Sequence, residues 1–437
     1  MSVRRKALDA LIDITEGGAY ANLRLKEAQK GLSVQDAKWV SAAVYETLDR
    51  LMMIDYILAA HAKGKLDKSI RGVLRLGVCQ ALYLHVPESA ACNESVKLAK
   101  EIGKGSLSGY VNGVMRSVCR AKEPPTLPED PLERLSIQYS RPKWLVEEYA
   151  KAYGHAMTEA IFFGGERAFT IRPQHPYQAE ELAEALTQRG LAFAQGTLAQ
   201  EAFRLSTGFD VTAEPLFQEG KITVQSESAM LVCQALTPKE GQAILDACCA
   251  PGGKTAYLSH LMKGTGRIVG WELHPHRVEL TQRTLSRLHV KNAAVSVRDA
   301  EQYDPAFDQG FDAVLVDAPC SGLGVPGKPD ARYSKSPAVI AELCGIQRRI
   351  LHACAPYVKP GGTLVYATCT ISPQENQGVA EWFRQAHPEF VPADLSAFLP
   401  ERLAERAKEG ALQLFPHLDD TDGFYMAKFI KQGEIND

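Results

Sequence analysis

Two thiols stand where an apolar run hands over to a loop. "FDAVLVDAPCSGLG" (311–324) ends its run in Asp317 and continues through Pro319 and Cys320 into a glycine-rich turn. "GTLVYATCTISPQEN" (362–376) ends a second run in Thr368 and follows it at once with Cys369. A cysteine in such a loop is a candidate nucleophile if the local field favours thiolate, and helix starts near both loops are a source of such a field. Either thiol alone also reads as a small buried core residue. Two of them, each at the carboxyl end of successive strands, are harder to read that way.

A third loop, "LDACCAPGGKT" (245–255), puts a Gly-Gly turn between a strand and a helix. Glycines let a ligand approach the backbone, and the helix start offers free N–H groups. Glu272 ends the next strand, 19 residues after Gly253, where a carboxylate can grip both hydroxyls of a ribose. Asp299 follows the third strand and is placed for an adenine amino group. Together the carboxylates argue for a nucleoside cofactor, although the loop is neither GxGxxG nor a P-loop. The plainer alternative is that Gly252 and Gly253 only make a turn. Cys248 and Cys249 read as packing residues.

The remaining cysteines narrow the chemistry by exclusion. There are 10 in the chain, with no CxxC pair and no HExxH, so no metal site is expected. A chain of 437 residues without a leader-like apolar segment is not expected to be a disulfide scaffold. No apolar run reaches the ~18 residues of a membrane helix, and a cytoplasmic protein is the expectation.

The elements that must position these loops follow from periodicity. Residues 1–120 carry apolar positions at three- and four-residue steps, as in "ALDALIDI" and "SIRGVLRLGVCQALYLH", and predict an all-α domain over 1–125. "AKEPPTLPEDP" (121–131) reads as a linker. Residues 132–215 mix "PKWLVEEYAKAYG" and "AEELAEALTQRG" helices with the strand "AFTIRPQ", a small α/β domain. From 216 to 437 strands and helices alternate, which predicts a Rossmann-like parallel sheet with helices on both faces. Ligands on such sheets bind at the carboxyl ends of the strands, after Ala247, Glu272, Val297, Asp317 and Thr368. Residues 1–123 hold 19 Lys and Arg against 13 Asp and Glu, a net +6 in a chain of net -3. That asymmetry suits a polyanion partner or, equally, a solvated helix surface.

The three loops resemble the cofactor and two-cysteine motifs of RNA 5-methylcytosine methyltransferases. "QYSRPKWLVEEYAKAYG" and "FPHLDDTDGFYMAKF" resemble that family's entry motif and C-terminal strand, and "ACNESVKLAK" with "GYVNGVMR" resembles a NusB-type RNA-binding domain. The combination covers nearly the whole chain and is similar to the RsmB/Sun/Fmu family of 16S ribosomal RNA cytosine-C5 methyltransferases. The resemblance implies S-adenosylmethionine as cofactor, 16S rRNA as partner, no metal, no membrane, and a monomer. It implies Cys369 as the attacking thiol, Cys320 as the thiol that assists product release, and Asp317 at the cytosine edge, helping to protonate the ring, with Lys254 orienting it. The cofactor site it implies comprises Cys248, Cys249, Ala250, Pro251, Gly252, Gly253, Lys254, Glu272, Arg277, Asp299 and Asp317. "TIRPQH" departs from the family's usual sequence but keeps Arg172 for a contact beside the base, and Lys328 and Arg332 stand in for a missing basic cluster. Two rivals follow from the same motifs. A transfer-RNA enzyme, or a DNA enzyme with Cys320 as nucleophile, is one. A catalytically inert RNA-binding assembly factor is the other.

Overall fold

The computed structural model describes residues 1–121, 125–165, 169–205, 211–325, 333 and 335–433. They fall into two compact units. The first comprises Met1–Phe163 and includes Tyr333, Lys335 and Ser336 from later in the chain.

The first unit is helical because its apolar residues keep the helical period. Val3–Gly17 buries Ala7, Leu8, Ala10, Leu11 and Ile14 on one stripe, and Ser2 caps its start by accepting the Arg5 N–H at 3.1 Å. Lys68–Leu82 is the central helix and is buried from Ile70 and Gly72 through Gln80. Each fully buried leucine in this core, such as Leu8, Leu11 or Leu74, contributes roughly 1.5–3 kcal/mol. Arg75, buried among these side chains, makes two 2.7 Å hydrogen bonds to Asp55. The helices Pro131–Gln138, Lys143–Tyr153 and His155–Phe163 group with this unit. They bury Leu135, Ile137, Leu145, Val146 and Tyr149, and the Ser140 hydroxyl accepts the Met52 N–H at 3.2 Å.

The second unit carries two sheets. The smaller is antiparallel and built from β1 (Phe169–Pro173), β2 (Phe193–Gln195), β3 (Phe203–Leu205) and β4 (Ile222–Val224) in the order β2-β3-β1-β4. β4, which the periodicity grouped with the alternating region, completes this sheet by pairing with β1. The larger sheet holds β5 (Ala243–Asp246), β6 (Arg267–Glu272), β7 (Ala293–Val297), β8 (Phe311–Asp317), β9 (Val358–Thr368), β10 (Phe390–Pro392), β11 (Ala411–Leu414) and β12 (Phe424–Lys431). Its order is β10-β12-β9-β8-β5-β6-β7, with β11 also paired to β12. β5 to β9 run parallel, and β12 is antiparallel to β9. The chain turns back across the sheet between β5 and β8, so a crevice opens at the carboxyl ends of those two strands. This is the Rossmann-like parallel sheet the alternation predicts, extended at one edge by the antiparallel β12. β5 and β8 are apolar and buried at their centres, Ile244 and Leu245 in one and residues 313–316 in the other, as strands inside a covered sheet must be. β10 and β11 are not among the predicted strands; both are short, and both form only because β12 offers them an edge.

Candidate active site

The larger sheet gathers the three loops at one end. β8 pairs in parallel with β9, and Asp317 lies opposite Ala367. The residues just beyond, Cys320 and Cys369, therefore converge, and their sulfurs are 3.3 Å apart. Thr368 and Thr370 on either side of Cys369 are fully buried, while Cys369 itself is partly exposed. The fully buried Asn376 ties this loop down: its carboxamide donates to Thr370 O at 3.0 Å and accepts from the Thr368 hydroxyl at 2.5 Å. Gly324 closes the other side. Its N–H donates to Cys369 O at 3.2 Å, its carbonyl accepts the Gly423 N–H at 2.7 Å, and a Cβ there would collide with the Gly423 carbonyl oxygen.

Lys254, in the first turn of the helix Gly253–Leu261, donates to Asp317 Oδ2 at 2.6 Å. Burial works against the ammonium charge, but Asp317 beside it and the neighbouring Cys233 and Cys369 sulfurs outweigh that and hold its pKa above the usual lysine value. The cation in the field of Cys369 is thus a lysine side chain. The helix after Cys369 begins only at Gln377. Cys320 is different. Its hydrogen bond with Cys369, burial, the Cys369 charge and the nearby Glu375 carboxylate push its thiol well above the usual range. Burial also pushes up Cys248 and Cys249, which suits packing residues rather than nucleophiles.

The crevice beside these groups has the donor set of a nucleoside site. Gly252 is left-handed at φ 98°, where other residues are strained, and the space where a Cβ of Gly253 would sit is open. Glu272, 5% exposed, ends β6 and accepts the His274 N–H at 3.0 Å. Arg277 pairs with Glu272 at 3.1 Å and donates to Ala250 O at 3.4 Å, so it ties the carboxylate to the glycine loop. Asp299 is partly exposed and accepts the Glu301 N–H at 3.0 Å. These residues fit S-adenosylmethionine: carboxylates for ribose and adenine, an open glycine turn for the methionine portion, and one buried carboxylate oxygen still without a partner.

That oxygen is Oδ1 of Asp246, a residue the sequence reading passed over. Its position at the last residue of β5, directly before the cofactor loop, was the available clue. Asp246 is fully buried; Thr255 donates to its Oδ2 at 2.7 Å. Desolvation, with Asp317 adding to it, raises its carboxyl to about 7. A carboxyl whose pKa is raised in the folded state makes the unfolded chain the weaker proton binder between about 4 and 7. Stability of the cofactor-free protein should therefore fall as pH rises across that window. Asp246→Asn should flatten the trend, by an amount of up to a few kcal/mol. Urea melts at pH 5 and pH 8 on both proteins check this; equal pH dependence in the two would contradict it.

Arg172 corrects an expectation. A contact beside the target base needs an exposed guanidinium, but Arg172 is 0% exposed. It donates to Gln225 at 2.6 Å, Gln174 and Pro173 O at 2.8 Å, and Gly253 O at 3.4 Å, and lies over the Tyr257 ring at 4.5 Å. It braces the cofactor loop from beneath. Lys328 and Arg332 lie outside the described residues. Among the described residues no cluster of His, Cys, Asp and Glu could hold a metal ion, and no helix is long and apolar enough to cross a membrane.

Comparison with known proteins agrees with this geometry. A family model described as 16S rRNA methyltransferase RsmB/F matches residues 233–430, and one for the NusB family matches residues 1–120. The chain is 39% identical to the probable ribosomal RNA small subunit methyltransferase B of Bacillus subtilis, over 99% of each chain. It is 32% identical to the ribosomal RNA small subunit methyltransferase B of Yersinia pestis, again over 99% of both. Among solved structures, that of PH0851 superposes with a TM-score of 0.81 at 26% identity, covering 99% of this chain and 100% of that one. A methyltransferase homologue from Pyrococcus horikoshii gives 0.58 at 29% identity, covering 70% of this chain and 100% of that one.

Proposed function

The chain belongs to the 16S rRNA methyltransferase RsmB/F family, and from that premise we propose that it methylates C5 of a cytosine in 16S rRNA through a covalent bond between Cys369 and C6. The observation that carries this reading is the pair of sulfurs 3.3 Å apart beside a Lys254–Asp317 ion pair. S-adenosylmethionine supplies an electrophilic methyl group. C5 of cytosine is too weak a nucleophile to accept it unaided. Addition of the Cys369 thiolate to C6 pushes the C5–C6 electrons into the ring, and C5 becomes enamine-like. Negative charge collects at N3, and a proton delivered through the Lys254–Asp317 pair neutralises it. After methylation a base takes the C5 proton, the C5–C6 double bond re-forms, the C6–S bond breaks with its electron pair returning to Cys369, and the N3 proton goes back to the Lys254–Asp317 pair. Cys320, in contact with that sulfur, assists this release.

The contact with Cys369, burial and the Glu375 carboxylate all raise the Cys320 thiol, which supports Cys369 as the attacker and weighs against the DNA-enzyme arrangement. The target base must be unstacked to reach the thiols, at a cost of a few kcal/mol, smaller in single-stranded RNA. The protein acts as a monomer in the cytoplasm on this reading. Incubation of the protein with 16S rRNA, transfer RNA and labelled S-adenosylmethionine tests it. Label should appear at C5 of one cytosine in 16S rRNA. Label confined to transfer RNA, or at another atom, would overturn it.

The net +6 of residues 1–123 supports an RNA-holding role for the helical unit. Lys63, Lys65 and Arg116 are exposed, and His61 bonds Ser117 at 2.9 Å, so these cations share one region. Replacing all three with Gln should weaken RNA binding and reduce the slope of log affinity against log salt by roughly 0.7 for each phosphate that is no longer neutralised. An unchanged slope in a filter-binding titration would mean that these charges are merely solvated.

A further inference from the structure

The peptide around Cys320 is gripped from both sides by two buried side chains. Gln347, in the helix Pro337–Cys354, is 0% exposed and donates through Nε2 to Pro319 O at 3.0 Å. Glu375 is also 0% exposed, and its Oε1 accepts the Ser321 N–H at 2.8 Å. The two grips are joined, because Gln347 Nε2 also donates to Glu375 Oε1 at 3.1 Å. Both neighbours of Nε2 are acceptors, so the amide orientation is determined. One residue further on, the Ser321 and Thr370 hydroxyls meet at 2.8 Å and bind the Cys320 loop to the Cys369 loop. Glu375 is itself anchored, its backbone carbonyl accepting the Tyr366 hydroxyl at 2.6 Å.

A buried carboxylate is costly, and hydrogen bonds to it recover only part of that cost. Packing alone would be served as well by an uncharged residue. What the charge adds is a field at Cys320, and what the clamp adds is a fixed distance between two sulfurs. We propose that Glu375 and Gln347 are positioning residues that hold Cys320 against Cys369, so that it serves product release and does not compete as nucleophile. This rests on the reading that Cys320 acts in release. The high Cys320 pKa agrees with it.

The full-length protein is incubated with 16S rRNA and S-adenosylmethionine, and the denaturant-stable protein–RNA fraction is measured for Glu375→Gln, Gln347→Leu and Cys320→Ala. The two clamp variants should raise that fraction and slow turnover about tenfold or more, with S-adenosylmethionine affinity unchanged. In a Cys369→Ala background, alkylation of the Cys320 peptide should move to lower pH with Glu375→Gln, which a merely structural role would not produce. An adduct with Cys320→Ala but wild-type behaviour in both clamp variants overturns the clamp. No adduct with Cys320→Ala overturns the underlying reading instead. Loss of cofactor binding in both clamp variants also counts against the proposal, since the pair would then be structural.

Discussion

Cys320→Ala should leave the protein bonded to its RNA, whereas Cys369→Ala should yield neither adduct nor methylated product. The two sulfurs are 3.3 Å apart, so proximity to the base does not separate them. Their surroundings do. Cys369 lies in the field of the Lys254 ammonium, and Cys320 has the Glu375 carboxylate beside it. An attacking group is needed in every turnover, so its loss should cost about 10⁴-fold or more in rate. Loss of the releasing thiol stops the cycle after the methyl group has moved, and the covalent species then accumulates. A denaturing gel with labelled RNA reads both outcomes. Adduct with Cys369→Ala and none with Cys320→Ala would make Cys320 the attacker.

Lys254→Met should be more damaging than Lys254→Met combined with Asp317→Asn. The pair is largely buried, with side chains 16% and 21% exposed, and is joined by a 2.6 Å bond. Removing the ammonium alone leaves a carboxylate with little water and no cation, a loss of about 3–5 kcal/mol. Removing both charges avoids most of that penalty, so the double variant should melt above the Lys254→Met single variant. Activity should not recover with stability. Each variant should lose about 10²–10⁴-fold in turnover, because the cytosine edge then lacks its acceptor, a route for the proton, or both. Thermal melts and single-turnover rates on the four proteins of the cycle decide this. Additive stability losses would mean that the two side chains are not coupled.

The catalytic architecture was legible where chemistry is written in short local patterns. The stretch "AVLV" (313–316) is apolar and buried, as the middle of a covered strand must be, and the loop begins just beyond it, after Asp317. The same logic placed β5, β6, β7 and β9 and left the thiol loops at one end of the sheet. It failed for β10 and β11, whose few residues have no strand character without β12 as an edge. It failed also for Arg172. An arginine in "TIRPQH" looks available to a ligand, and only the Tyr257 ring and the Gln225, Gln174 and Gly253 groups around it show that it is a buried brace.

By itself the sequence determined the family, the fold class, and the meeting of Cys320 with Cys369. Local spacing suffices for all of these, because successive parallel strands bring their ends together. Tertiary structure alone decided the rest of the electrostatics: Asp246 stranded without a partner for one oxygen, and Gln347 and Glu375 closing on the peptide of Cys320. Charge and burial at a point depend on every chain segment that folds against it. Lys254 and Asp317 are 63 residues apart, and their contact was expected only through the family resemblance, because local spacing does not record it.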